Sequence, residues 1–128
     1  LSPQTRLYTA EPAGYDDHRL SLEAGRRIAL KSAGPSLCDA LLAPQPGELT
    51  FAINQPRLVG GYAVTDAEAL DAMAFAFRHL KIVLEPGGAV ALAAVLSGNA
   101  QLDGRTALVV ASGGNVDAEV YSRALGAP

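Results

Sequence analysis

Hydrophobic and polar positions along this chain change period several times, and each change marks an element. Arg6-Leu7-Tyr8-Thr9-Ala10 alternates as a strand does, and Glu11-Pro12 is expected to end it, since proline cannot donate to a ladder. Asp16-Asp17 reads as the N-cap of a short helix, Asp17 to Ala24, closed by Gly25. From Ile28 to Gly47 the chain is loop-dominated, with a short helical piece over Ser36 to Leu42 capped by Ser36. Pro44-Gln45-Pro46-Gly47 makes a rigid turn. Glu48 to Leu58 fits either type and leans to helix, and Gly61 to Thr65 reads as a short strand. Thr65-Asp66-Ala67-Glu68 opens the longest helix, Asp66 to Val83, in the manner of a capping box. Leu70, Met73, Ala74, Phe77 and Leu80 fall at helical spacing along its expected buried face. Glu85-Pro86 breaks it, and Gly88 to Ser97 follows as a nearly all-apolar helix, buried on most sides. After a turn at Asp103-Gly104, Thr106 to Ala111 is a continuous hydrophobic run, as in a strand covered on both faces. Gly113-Gly114 then turns into a last helix, Asp117 to Leu125. Strands alternating with helices predict an α/β fold with an open, mostly parallel sheet flanked by helices.

Composition narrows the function. A chain of 128 residues is of single-domain size, and 49% apolar with 18% charged residues is ordinary for a globular protein. A net charge of −3, with scattered Lys and Arg, gives no footprint for nucleic acid. No apolar run approaches the length of a membrane span; the longest, Ala89 to Leu96, is too short. The single cysteine, Cys38, excludes an internal disulfide and a Cys-rich zinc site, and fits a reducing cytoplasm. The opening Leu1-Ser2-Pro3-Gln4-Thr5-Arg6 has neither a start Met nor a signal segment, and reads as the interior of a longer chain.

Three constellations could carry chemistry. Ser112-Gly113-Gly114-Asn115 lies at the carboxyl end of a hydrophobic run, where open α/β sheets bind ligands. Its glycines would allow close approach of a ligand, but a plain strand-to-helix turn explains the spacing equally well. Glu85, between two apolar helices, either has a partner in a polar site or points to solvent from a corner; taken alone, the corner is favoured. Glu11, Asp16 and Asp17 form an acidic cluster on a Gly-containing bend, of the oxygen chemistry hard cations prefer, although most such loops bind nothing. His18 and His79 have no nucleophile context, and Cys38 fits buried packing better than reactivity.

Taken in order, four motifs carry a resemblance. They are Glu11-Pro12-Ala13-Gly14-Tyr15-Asp16-Asp17, Ser36-Leu37-Cys38-Asp39-Ala40-Leu41, Glu85-Pro86-Gly87-Gly88-Ala89 and Ser112-Gly113-Gly114-Asn115-Val116-Asp117. In that order and spacing the chain resembles the threonine/serine dehydratases and serine racemases, which are fold-type II pyridoxal-phosphate enzymes. The likeness runs over essentially all of residues 1–128, and corresponds to the C-terminal part of the family's large domain, so a single partial domain is expected.

The resemblance implies roles. Ser112 would hydrogen-bond the pyridine nitrogen of pyridoxal phosphate, with Gly113, Gly114 and Asn115 shaping that wall. Glu85 would lie near the cofactor ring, and Ala40 beside ring and substrate. Racemases tend to carry Gly at the position of Ala40, which tilts the expectation toward a dehydratase. Glu11, the carbonyl of Tyr15 and Asp17 would hold magnesium or calcium. A neutral hydroxyl on the pyridine nitrogen makes the ring a weaker electron sink than an aspartate would. That suits prompt loss of the β-hydroxyl of serine or threonine, giving a 2-oxo acid and ammonia. The family's Schiff-base lysine and tetraglycine phosphate loop have no counterpart here: Lys31 and Lys81 match neither context, so no catalytic residue is assigned. The chain on its own is expected to be inactive. Its incomplete sheet would be covered by self-association into a homo-oligomer. Two other readings stay open, a non-catalytic oligomeric or cation-binding module and a piece of a serine racemase.

Overall fold

A computed structural model describes residues 3–31 and 34–126; Leu1 and Ser2, read above as the interior of a longer chain, lie outside them. Strands β1 (Leu7–Pro12) and β2 (Leu58–Val64) run parallel, with Ala10 opposite Tyr62 and Pro12 opposite Val64. Pro12 therefore ends inside the strand. The N–H of Ala13 donates to the carbonyl of Val64 at 2.7 Å, so the alternating ladder turns the Pro12 nitrogen toward the free edge, where no donor is needed. β2 also starts three residues earlier than its alternation suggested, at Leu58.

Side chains alternate across the strands, and the two faces take different partners. Glu11 and Gly61 face helix α1 (Asp17–Ala24), while Ala10, Tyr62 and Val64 join the core. That core lies between α3 (Asp66–Phe75) and α4 (Pro86–Leu96). The facing positions are small: Ala69, Ala72 and Ala76 meet Ala89, Ala93 and Ala94, so the helices approach closely around Met73, which is fully buried. This is the expected α/β arrangement, with helices on both faces of a parallel pair.

Both ends of α1 and the start of α3 match their sequence signals, while other boundaries shift, α4 starting at Pro86 rather than Gly88. α1 occupies the expected residues and closes on Gly25. The capping box of Thr65 and Glu68 opens α3 as expected. α3 then widens into a π-helical turn, Ala76–Leu80, and stops at Lys81, which is left-handed (φ 61°), two residues short of Val83. Met73 and Ala74 are buried, but Phe77 and Leu80 are exposed, because the π turn rotates the last residues off the core face. Helix α2 covers Glu48–Asn54, so the helix expected over Glu48 to Leu58 stops four residues short, and Leu58 begins β2. Of the helical piece expected over Ser36 to Leu42, only a 3₁₀ turn forms, Asp39–Leu41. The last helix, α5 (Ala118–Leu125), begins one residue later than expected.

The largest correction concerns Thr106 to Ala111, which forms no ladder with any described residue. Leu108 is 94% exposed and Val110 66%, the reverse of a strand covered on both faces. A cavity of about 670 Å³ separates Arg105–Val110 from Thr5–Ala10 of the β1 edge, with Ala91, Ala94 and Val95 of α4 as its floor. A hydrophobic run reports a need for burial, whereas a ladder needs a strand at hydrogen-bonding distance. Among the described residues no helix is long and apolar enough to cross a membrane.

Cys38 has no exposed surface, and burial pushes its thiol up to about 11. Its thiolate population near pH 8 is thus far below that of a free cysteine. Labelling of the native chain with a disulfide reagent at pH 8 should be slower than that of the denatured chain by roughly a hundredfold or more. Equal rates would show that Cys38 is not held in this core.

Candidate functional site

The start of α4 is the point where three of the sequence motifs meet. Glu85 stands at its N-cap and Pro86, whose missing N–H costs nothing there, occupies the first turn. The Glu85 carboxylate does not cap its own helix. One of its oxygens instead accepts the backbone N–H of Asn115 at 2.9 Å, while the Glu85 N–H donates to the carbonyl of Gly113 at 3.0 Å. Glu85 therefore has a hydrogen-bond partner across the turn, though no ion pair among the described residues. It ties the 112–115 turn to the helix by one bond in each direction.

The glycines on both sides are what allow this. A Cβ on Gly88 would lie 2.8 Å from the Gly113 nitrogen and closer still to its carbonyl oxygen. One on Gly113 would run into the Glu85 carboxyl group, and one on Gly114 would sit 2.6 Å from the Val83 carbonyl. At Gly88 and Gly114 the close atoms are backbone and cannot yield, while at Gly113 they belong to the Glu85 side chain. The turn is thus fixed, and it presents Ser112 and Asn115 to solvent.

Ala40 reaches the same place from another direction. Its methyl and the side chain of Leu41 pack against Gly87, within 3.7 and 3.4 Å of where a Cβ would stand. Leu37 and Asp39 from that loop, with Pro86, Asn115 and Asp117, line a cleft of about 140 Å³. Ser112, Gly113, Gly114, Asn115, Glu85 and Ala40, read separately from sequence, are therefore gathered around one helix N-terminus. The loop is held by Asp66, whose two carboxylate oxygens accept from the Ser36 hydroxyl at 2.7 Å and the Leu37 N–H at 3.0 Å. Asp66 was read from sequence only as the first residue of a helix. Its loop partners are some thirty residues away, and no local pattern announces them.

Glu11, Tyr15 and Asp17 form a second group, where β1 runs into α1. Asp16 makes no capping bond to α1; it pairs instead with the Arg19 guanidinium. Glu11 does the capping from a distance, its two oxygens accepting the N–H groups of His18 and Arg19, each at 2.9 Å. Burial nonetheless raises the Glu11 carboxyl above its usual range, outweighing those bonds, and the charge of Asp17 adds to the rise. Asp17 is itself buried, and burial raises it too. Tyr15 folds back through its N–H to the Pro12 carbonyl at 2.9 Å. Among the described residues no group of three or more His, Cys, Asp or Glu side chains is arranged around one point, so a cation here would rely on main-chain oxygen.

The remaining reactive side chains lie apart. The His18 ring sits tilted at 60° against Phe51, and His79 is exposed beside Phe75. Lys31 and Lys81 are both exposed, and the Lys81 ammonium donates to the Arg78 carbonyl.

Comparison with known proteins gives this arrangement a context. The model of the family described as "Pyridoxal-phosphate dependent enzyme" matches residues 1–113. The chain is 39% identical over 117 residues to a beta-hydroxyaspartate dehydratase of Paracoccus denitrificans (strain Pd 1222), covering 91% of this chain and 36% of that protein. It is 35% identical over 130 residues to a serine racemase of Oryza sativa subsp. indica, covering 98% of this chain and 38% of that protein. In structure it is similar to a threonine deaminase of T.th., with a TM-score of 0.84 and 39% identity over 91% of this chain and 42% of that one. It thus spans well under half the length of each of these relatives. On the family match, the sequence identities and the shared fold together, the chain belongs to the pyridoxal-phosphate-dependent enzymes of fold type II.

Proposed function

We propose that this chain supplies one wall of the cofactor site of an ammonia-lyase acting on 3-hydroxy amino acids, with serine or threonine as substrates. The observation that carries the reading is the locked turn, in which Glu85 and the close contact of Gly88 with Gly113 hold Ser112 at a helix start. The donor set fits the group: Ser112, exposed on a turn whose glycines are packed against α4 and Val83, offers a neutral hydroxyl to a pyridine nitrogen. When bound, pyridoxal phosphate supplies an electron sink that draws charge from the substrate α-carbon. Glu85 keeps the turn in register, Asn115 frames its exposed side, and the Ala40 methyl limits the space beside the substrate. A neutral partner at the ring nitrogen favours prompt loss of the β-hydroxyl, giving a 2-oxo acid and ammonia. The sequence likeness to a serine racemase supports a second reading, proton transfer at the same carbon, which Ala40 disfavours.

Alone, the chain lacks a lysine in the right place and is inactive in this reading. Titration with pyridoxine 5′-phosphate, followed by amide NMR, should move Ser112 to Asn115 and bind weakly. Gly88→Ala should remove that response and cost about 1–3 kcal/mol of stability, as overpacking does. With pyridoxal phosphate and borohydride, label retained on Lys31 or Lys81, and lost on their mutation, would sink the reading.

Glu11, the Tyr15 carbonyl and Asp17 are the proposed magnesium or calcium ligands. Glu11 Oε1 keeps one lone pair after capping α1, whereas Oε2 takes both the Arg19 N–H and the Thr9 hydroxyl, and a cation would relieve the repulsion between the Glu11 and Asp17 carboxylates. Both carboxyls are raised in the fold, so without cation they stabilise it most when protonated. That contribution fades as pH rises from their ordinary values of 4.5 and 3.8 through the raised ones. Calorimetry should therefore find magnesium or calcium binding at pH 7.5 that weakens on acidification and is abolished in Asp17→Ala. Unchanged binding in Asp17→Ala would remove the site.

The exposed Leu108 and Val110, facing the unpaired β1 edge across an apolar cavity, are the basis for a proposed homo-oligomer. Light scattering should show more than one chain per particle, and Leu108→Arg should shift it toward the monomer. A monodisperse wild-type monomer would contradict this.

A further inference from the structure

We infer that Asp66 is a positioning residue for the cleft, fixing the wall that carries Ala40 opposite the 112–115 turn without itself touching a ligand. Asp66 opens α3, where a carboxylate is favoured by the helix dipole and is tied to the rigid part of the fold by the adjoining capping box. Its two oxygens are spent on the loop, one on the Ser36 hydroxyl at 2.7 Å and the other on the Leu37 N–H at 3.0 Å. The Ser36 oxygen in turn accepts the Cys38 N–H at 3.1 Å. Cys38 is sealed in the core, and the Leu41 N–H closes the 3₁₀ turn on the Cys38 carbonyl at 2.8 Å. The chain of bonds thus runs from α3, through Ser36 and Cys38, to the residues that pack on Gly87.

Leu41 packs against the core beside Cys38, and the Leu30 N–H on the Pro44 carbonyl holds the longer segment, so the part that depends on Asp66 is the approach through Ser36 and Leu37. Gly34 and Pro35 precede the clamp, Asp39 and Ala40 are exposed, and no described residue of the loop belongs to a ladder. Cys38 fixes the depth of the loop, and Asp66 fixes its direction. Charge-assisted bonds of this kind are the stronger class, and two acting on adjacent groups set orientation as well as distance. With Asp66 replaced by asparagine, one amide hydrogen faces a donor, and one of the two bonds is lost.

The test compares Asp66→Asn with Thr65→Ala, which weakens the same helix start through its capping box but leaves the loop clamp intact. In Asp66→Asn, hydrogen exchange at Leu37 and Cys38 should speed by roughly tenfold or more. The nuclear Overhauser contact between the Ala40 methyl and Gly87 should weaken, and the Asn115 amide should shift. Thr65→Ala should lower the melting temperature while leaving all three unchanged, and Ser36→Thr, which keeps the hydroxyl, should preserve them where Ser36→Ala does not. Unchanged exchange and contacts in Asp66→Asn, or the same changes in Thr65→Ala, would overturn the inference. The consequence for binding rests on the cofactor-wall reading: Asp66→Asn should weaken pyridoxine 5′-phosphate by about the same factor as it loosens the loop. If the wild-type chain does not bind that probe, the cofactor-wall reading fails, while the exchange and contact measurements still decide the role of Asp66. If the loop loosens and binding holds, Asp66 is structural only.

Discussion

Two stretches of backbone meet without side chains between them at Gly88 and Gly113, and the order around the cleft depends on that approach. Peptide groups this close must be complementary, and they are: the Glu85 N–H donates to the Gly113 carbonyl while the Glu85 carboxylate takes the Asn115 N–H. The contact also explains why α4 begins where it does. Pro86 needs no hydrogen-bond partner at a helix start, and the glycines behind it leave space for the turn. The helix then runs back into the alanine-lined core against α3, so the turn is referenced to the most rigid part of the fold.

A second layer of order is built on the first. The 36–41 loop packs on α4 through the Ala40 methyl and the Leu41 side chain against Gly87, with Cys38 in the core cluster that includes Ala89 and Val90. Such contacts exclude water but give little direction, and direction comes from polar bonds to Asp66. The cleft between loop and turn is therefore backed by small apolar contacts and aligned by polar bonds, and its own lining is mostly polar, with Asp39, Asn115 and Asp117.

Sequence reasoning located the parts of this site but not their roles. Ser112 to Asn115, Glu85 and Ala40 stood out through local chemistry: glycine pairs, a carboxylate beside proline, a likeness in order and spacing. Helix ends were legible for the same reason, since the capping box at Thr65 and the glycine at Gly25 act within a few residues. What Glu85 does was not legible, because its partner Asn115 is thirty residues away and the bond exists only once α4 and the turn are packed. Glu11 teaches the same lesson. Read from sequence as part of an acidic cluster, it caps α1 from the neighbouring strand, while Asp16, placed at the cap by its position, turns to Arg19 instead.

The run from Thr106 to Ala111 fails for a different reason. Its pattern predicts a buried strand, and a strand is a relation between segments rather than a property of one. β1 could have been the neighbour, yet the two are held apart across a cavity floored by Ala91, Ala94 and Val95. One end of the run follows a tight turn at Asp103 and Gly104, both with positive φ and closed by the Arg105 N–H on the Leu102 carbonyl; the other is locked to α4 through Gly113. Movement of the run toward β1 is resisted at the Gly113 end by the Gly88 contact. The contact that orders the 112–115 turn thus also limits where the end of this run can go.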